Sequence, residues 1–143
     1  METHTGVVEH RLTVRGHVVM SGAASLGADV LPGGHLEVSG VVGPVHVQDG
    51  GRFSLSGLMA DELSVELDGE ARIAGVFQGA LIDAPEGVLV AEGSLIHVDG
   101  EPVLVTQGEL TPAPEHIEHL KVTRGPWYRW WGDAMLHSVK GGA

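Results

Sequence analysis

Histidine is the residue type in this sequence that is best suited to metal chemistry, and the spacing of two histidines is informative. His17 and His35 are 18 residues apart, which is the length of a repeat described below. Residues one repeat apart lie side by side on adjacent strands, with Cβ atoms about 5 Å apart. Catalytic zinc usually takes three protein ligands, and no carboxylate shares this column before Glu70, two repeats further along. We therefore expect two solvated imidazoles and assign no metal ligand.

A second pair, His116 and His119, is interleaved with Glu115 and Glu118. The zinc motif His-Glu-x-x-His places its histidines four positions apart, so this pair is one residue short. The sequence also contains no Gly-x-Ser-x-Gly, no P-loop and no Gly-x-Gly-x-x-Gly that opens a helix. We predict a protein that is not an enzyme and that needs no cofactor.

Left-handed hexapeptide solenoids, which include acyltransferases and a zinc carbonic anhydrase, are the enzyme class with which the repeat must be compared. Their hexads place an aliphatic residue directly before a small one. The glycines that open the repeats here follow other residue types, namely Arg15, Gly33, Gly50, Asp68 and Glu86. The pattern does not fit that class.

All three tryptophans and the only tyrosine lie in one aromatic segment, Trp127, Tyr128, Arg129, Trp130 and Trp131. One interpretation is a cap on the end of the fold, because open strand edges invite pairing with other chains. The other is a surface for a protein partner, since Trp, Tyr and Arg dominate interface energies. We favour the cap. Membrane contact is a weaker alternative, because residues 109–143 hold four acids and four bases, whereas anionic lipids attract basic segments.

Residues 34–86 repeat one pattern three times, as 34–50, 51–68 and 69–86. Each copy opens with glycine, has a second glycine six places later and alternates apolar with polar residues between the two. The opening glycines are Gly34, Gly51, Gly69 and Gly87, and the second glycines are Gly40, Gly57, Gly75 and Gly93. A fixed period near 18 residues is typical of a β-solenoid, in which no coil can bury its apolar face alone.

Stacking the copies places apolar residues in shared columns, which predicts an interior built from ladders of like residues. One column reads Val18, Leu36, Phe53, Ala71, Leu89 and Leu104, and the next reads Met20, Val38, Leu55, Ile73, Ala91 and Thr106. A coil of about 18 residues divides into three faces. We predict an all-β protein, a single triangular β-helix of about six coils over residues 6–110, with a C-terminal aromatic cap segment.

Both ends of the chain depart from the repeat. Residues 1–5 are polar and are expected to be a disordered N-terminus. Two prolines within residues 111–114 cannot continue a central strand, so residues 111–143 are expected to form a separate cap or interaction segment. Within it, residues 133–140 are compatible with one short helix.

Charge limits the partners of this chain. Its net charge is −11 at pH 7, and residues 1–108 contain 15 acids against four bases. An acidic body repels phosphate backbones, so we expect no nucleic-acid partner. The chain has no cysteine, which fits a reducing compartment, and no apolar run reaches the roughly 18 residues of a membrane span. We predict a cytoplasmic protein without a transmembrane segment.

The sequence GRFSLSGLMADELSVELDGEARIAGVFQG, residues 51–79, resembles the core of bactofilins, which are bacterial polymer-forming scaffold proteins. The resemblance covers residues 6–110. It implies a right-handed triangular β-helix without catalytic activity that stacks end to end without a nucleotide. It also implies recruitment of membranes or of wall-building partners. A cap on one end would block such stacking at that end.

The leading functional prediction is a scaffold or assembly protein that self-associates through solenoid ends or edges, with itself or another protein as its partner. The alternative is a soluble acidic binding protein, of the inhibitor or immunity type, that masks a basic partner. Its binding surface would be the aromatic segment or a solenoid face with the acids Glu37, Asp61, Glu62, Glu66, Glu70 and Glu92.

Overall fold

Three β-sheets run along the length of the molecule in the computed structural model. The structure describes residues 2–85, 87–98, 100–113, 127–132 and 136–138. The chain crosses the three sheets, here called A, B and C, in the same order in each coil. About five turns of a β-solenoid result. The predicted all-β solenoid is confirmed.

The bounds of the strands follow the glycine-punctuated repeat. Sheet A contains β1 (Glu2–His4), β3 (His17–Met20), β6 (His35–Val38), β9 (Arg52–Leu55), β12 (Glu70–Ile73), β15 (Val88–Ala91), β19 (Trp127–Trp130) and β20 (Leu136–Ser138). Sheet B contains β4 (Ala23–Ala24), β7 (Val41–Val42), β10 (Leu58–Met59), β13 (Val76–Phe77), β16 (Leu95–Val98), β17 (Glu101–Thr106) and β18 (Glu109–Pro112). Sheet C contains β2 (Leu12–Val14), β5 (Ala28–Val30), β8 (Val45–Val47), β11 (Leu63–Val65) and β14 (Leu81–Asp83).

The interior is formed by one side chain in two along each strand, as strand alternation requires. In sheet A the strands of successive coils are parallel and in register, so that His35, Leu36, Glu37 and Val38 pair with Arg52, Phe53, Ser54 and Leu55. The alternate residues are buried: Leu36, Val38, Phe53, Leu55, Ala71 and Ile73 are at most 1% exposed. Their columns match the predicted columns through the fifth coil.

The second glycines form a stacked column at the corner between sheets A and B. A Cβ atom added to Gly40 would overlap the carbonyl oxygen of Gly22, and one added to Gly57 would overlap that of Gly40. Gly75 stands in the same relation to Gly57. Only a residue without Cβ lets the backbones approach this closely, which explains why glycine recurs at the period of the coil.

The N-terminal residues correct one prediction. Residues 1–5 were expected to be disordered because they are polar, but Glu2–His4 form β1, which pairs in parallel with β3. Backbone hydrogen bonds hold this strand, for example the Ser21 N–H donating to the His4 carbonyl at 2.9 Å. Such bonds do not depend on apolar side chains, so polarity alone does not exclude a strand at the end of a solenoid.

The repeat that opens with Gly87 lies one residue out of the predicted register. Ile73 pairs with Val90, whereas the sequence columns placed Ala91 beside it. In sheet B, Phe77 likewise pairs with Ile96. All four residues of β15 are buried, so apolar character does not reveal which of them face inward.

The last predicted repeat, which would open with Pro102, does not form a coil. The chain reverses direction after β16, so that β17 pairs antiparallel with β16 and β18 pairs antiparallel with β17. Gln107 and Gly108, between β17 and β18, both have positive φ, 51° and 79°. Two positive values in a two-residue loop define a type I′ hairpin turn. Because β17 already runs antiparallel to β16, the parallel strands of sheet B end at β16, well before Leu110.

The suggested helix at residues 133–140 is also corrected, because Leu136–Ser138 form β20, antiparallel to β19. Among the residues that the structure describes, none belongs to a helix long and apolar enough to cross a bilayer.

Candidate functional site

Four of the five residues of the aromatic segment form β19, the strand of sheet A that lies between β15 and β20. Strand β19 pairs antiparallel with β15, and Trp130 is directly opposite Val88. Trp130 is fully buried and meets the ring of Phe77 edge to face, with centroids 5.9 Å apart. An indole in this position extends the inner columns beyond the last coil. The segment therefore covers the end of the solenoid core.

Tyr128 ties the aromatic segment to the antiparallel strands of sheet B through Glu92. The Tyr128 hydroxyl donates to Glu92 Oε1 at 3.2 Å, and the Gln107 backbone N–H donates to both carboxylate oxygens of Glu92 at 2.9 Å. Burial, followed by the bond to Glu92, raises the pKa of Tyr128 above its usual 10.0. Glu92 thus joins the ends of two sheets, a role that its position in the sequence did not reveal.

The remaining members of the segment lie nearer the surface. The Arg72 guanidinium lies 5.4 Å from the centre of the Trp127 ring, in cation–π contact on the outer face of sheet A. Arg129 is partly buried. Trp131 is 40% exposed, and its indole N–H donates to the Pro85 carbonyl at 3.1 Å. The five predicted residues are thus brought together, with Trp130 in the core and Trp131 the most exposed of the large apolar ones.

The opposite end of the solenoid presents strand edges. Within the described ranges, β1 and β2 are the terminal strands of sheets A and C, and β4, with one bridge to Val7, is the terminal strand of sheet B. Val7 is 72% exposed. Such edges carry backbone N–H and C=O groups that can pair with another chain.

One side chain, that of Arg11, fastens the first coil to the next two. Its guanidinium binds both carboxylate oxygens of Asp29 in the second coil, with Nε 2.8 Å from Oδ2 and Nη2 3.0 Å from Oδ1. It also donates to the carbonyls of Leu26 and, in the third coil, Pro44. The hydrogen bond from Arg11 lowers the pKa of the Asp29 carboxyl below its usual value.

His17 and His35 occupy adjacent strands in register, as predicted. Their rings are stacked, with centroids 5.0 Å apart and planes 9° from parallel. The structure adds Glu37, whose Oε2 lies 2.7 Å from His17 Nε2. Glu37 lies outside the column that contains His17 and His35, so the repeat did not predict it as their neighbour. The spacing of His35 and Glu37 could have predicted this contact, since residues two apart on a strand lie on the same face. His116 and His119 lie outside the described residues.

The six acids of the alternative binding surface do not form one continuous patch. Glu37 and Glu70 lie on strands of sheet A or at their ends, Glu66 follows a strand of sheet C, and Asp61 and Glu62 lie between sheets B and C. Several of them have partners within the molecule, for example Glu66 with His46 at 2.7 Å and Glu70 with Arg72 at 3.0 Å.

No family model matches the chain, and comparisons with curated proteins and with solved structures gave no match either.

Proposed function

We propose that the protein is a non-enzymatic, bactofilin-like assembly protein of the cytoplasm that self-associates through the N-terminal end of its solenoid. The observation that carries the proposal is the difference between the two ends. Strands β1, β2 and β4 present edges that continue the parallel ladders, whereas antiparallel strands and Trp130 occupy the ends of sheets A and B on the other side. The resemblance of residues 51–79 to bactofilins supports the same conclusion.

One competent end for each molecule limits the size of the assembly. Two copies that meet through the same end are related by a two-fold axis, and such a contact closes on itself. The β1 edge of one copy would then pair antiparallel with the β1 edge of the other, by addition of strands across the interface. The expected product is a dimer of rods, in contrast to an open filament.

The test measures the oligomeric state of the full chain by sedimentation velocity over a range of protein concentrations. The native chain is expected to be a dimer. The double variant Thr3→Lys, Val7→Lys is expected to be a monomer, because both residues are exposed and lysines of two copies would repel each other across the axis.

The matched control is Leu67→Lys. Leu67 is an apolar side chain that is 57% exposed, and it lies on the side of the rod between β11 and β12. This variant gains one of the two positive charges that the edge variant gains, at a site remote from the N-terminal edges, and should remain a dimer. A native chain that is monomeric at every concentration, or a dimer unaffected by the two edge lysines, would contradict the proposal.

A further inference from the structure

We propose that His17, His35 and Glu37 form a binding site for a divalent transition-metal ion of the zinc class, on the outer face of sheet A. The proposal does not depend on self-association. It is carried by the arrangement of three potential ligands that the parallel strands β3 and β6 hold on one face.

The backbone places the three side chains together. His17 and His35 are directly opposite each other on neighbouring strands, and Glu37 follows His35 by two positions on the same face. One ligand atom from each residue lies within 4.8 Å of the other two. Glu37 is the shared member, since its carboxylate is 2.7 Å from His17 Nε2 and 4.0 Å from His35 Nε2.

Small side-chain movements would complete the coordination. Zinc binds imidazole nitrogen and carboxylate oxygen at about 2.0–2.2 Å, so ligand atoms in a tetrahedral site are about 3.3 Å apart. The rings of His17 and His35 lie in nearly parallel planes, so their in-plane lone pairs cannot meet at one ion and one ring must rotate. The side chains are 42%, 33% and 44% exposed for His17, His35 and Glu37, which leaves room for that rotation without moving the ladder.

The donor set indicates the class of metal. Two imidazoles and a carboxylate suit zinc and the neighbouring first-row ions, whereas calcium and magnesium prefer oxygen ligands alone. Partial burial lowers the pKa of His35 below its usual 6.5, which favours the neutral imidazole that binds metals.

Three protein ligands leave one position of a tetrahedral ion to water, as in zinc sites with exchangeable ligands. Glu37 also lines an open cleft of about 590 Å³ that contains Ser54, Arg72 and Trp127. A small molecule bound to the ion would therefore have space beside it.

His46 provides a matched comparison on sheet C. Its Nε2 lies 2.7 Å from Glu66 Oε2, the same contact that joins His17 to Glu37. Its ladder neighbours are Asp29 and Ser64 instead of a second histidine, and Asp29 is bound by Arg11 on both oxygens. A His–Glu pair without a second imidazole should not hold the ion tightly.

The experiment is a titration of the chelator-treated full chain with ZnCl₂ in a calorimeter, with Co²⁺ absorption as an independent readout of tetrahedral geometry. We expect one ion per chain with a dissociation constant in the micromolar range, of the order of 1 μM. His17→Gln, His35→Gln and Glu37→Gln should each weaken binding at least about tenfold. His46→Gln should leave the affinity unchanged.

All four substitutions are at partly exposed positions, so thermal unfolding should show that each variant remains folded. The proposal is overturned if the native chain shows no saturable binding. It is also overturned if His46→Gln weakens binding as much as His35→Gln does, or if the three site variants bind zinc like the native chain.

Discussion

At the N-terminal end of the solenoid one side chain, that of Arg11, fastens the first coil to its neighbours, whereas at the C-terminal end two antiparallel hairpins cover the last coil. Arg11 acts through polar contacts at the surface. The C-terminal end acts through burial, with Trp130 inside the core. The first end keeps the parallel edges of the repeat available, and the second replaces those of sheets A and B with strands of opposite direction.

The difference shows that the repeat specifies the interior but not where the interior stops. Each inner coil supplies its neighbour with the same columns and the same glycines, so nothing in the repeat itself ends the stack. Termination requires residues outside the pattern, here the reversal of the chain between β16 and β17 and the aromatic segment. Three substitutions test this division between the two ends and the coils that connect them.

Removing the indole of Trp130 should have the largest effect. Trp130→Ala would leave a cavity against Phe77 at the end of the core, and truncations of this kind usually cost about 3–5 kcal/mol of unfolding free energy. Urea denaturation followed by circular dichroism would measure the loss. Trp131→Ala is the control, because that side chain is 40% exposed and its truncation should cost less, about 1–2 kcal/mol. Equal losses would mean that Trp130 does not close the core.

Adding one methyl group inside the glycine column should have an intermediate effect. The Cβ atom of Gly57→Ala would overlap the backbone carbonyl of Gly40, and the coils must separate locally to admit it, at a cost of about 1–3 kcal/mol. Gly6→Ala is the matched control. Gly6 begins the same column at the open end, where an added Cβ meets no atom within 4 Å. A Gly57 variant as stable as the Gly6 variant would disprove the close stacking of these corners.

The smallest effect is expected from the Arg11 contact. Asp29→Asn removes a partly exposed ion pair, which is worth up to about 1 kcal/mol. Because the pKa of Asp29 is lowered in the folded state, its contribution is present above the unfolded-state pKa and is lost as the pH falls through the folded-state pKa. The stability difference between native chain and variant, measured by urea denaturation, should therefore be largest at neutral pH and vanish in strong acid. A difference that persists there would exclude this ion pair as its cause.

The inner coils could be predicted from sequence because their pattern is redundant. Glycine at two phases and apolar residues in alternation both indicate the same register for residues 16–77, and the structure has that register. The pattern loses its information at β15, where Val88, Leu89, Val90 and Ala91 are all apolar. A strand buried on both faces shows no alternation, so the shift of one residue cannot be seen.

The repeat length does not predict the reversal of the chain after β16 or the position of Glu37 beside His17 and His35. Asp99-Gly100 is a dipeptide that favours a hairpin turn, and Gly100 has a positive φ of 81°. The apolar residues that follow it also match the repeat pattern, so the sequence favoured a further coil at this point. The cap position of the aromatic segment was favoured from composition. Its attachment through Glu92 depends on a contact between residues 36 positions apart, which no local pattern encodes.

Equivalent inner coils make the length of the rod adjustable in whole steps. Duplication or loss of one 17- or 18-residue repeat, for example by unequal recombination within the gene, would change the rod by one strand spacing, about 4.8 Å. The glycine of each corner would meet the glycine of the next remaining coil, and both ends would keep their own contacts. The number of coils sets the distance between the two ends, so this distance can evolve without any new interface.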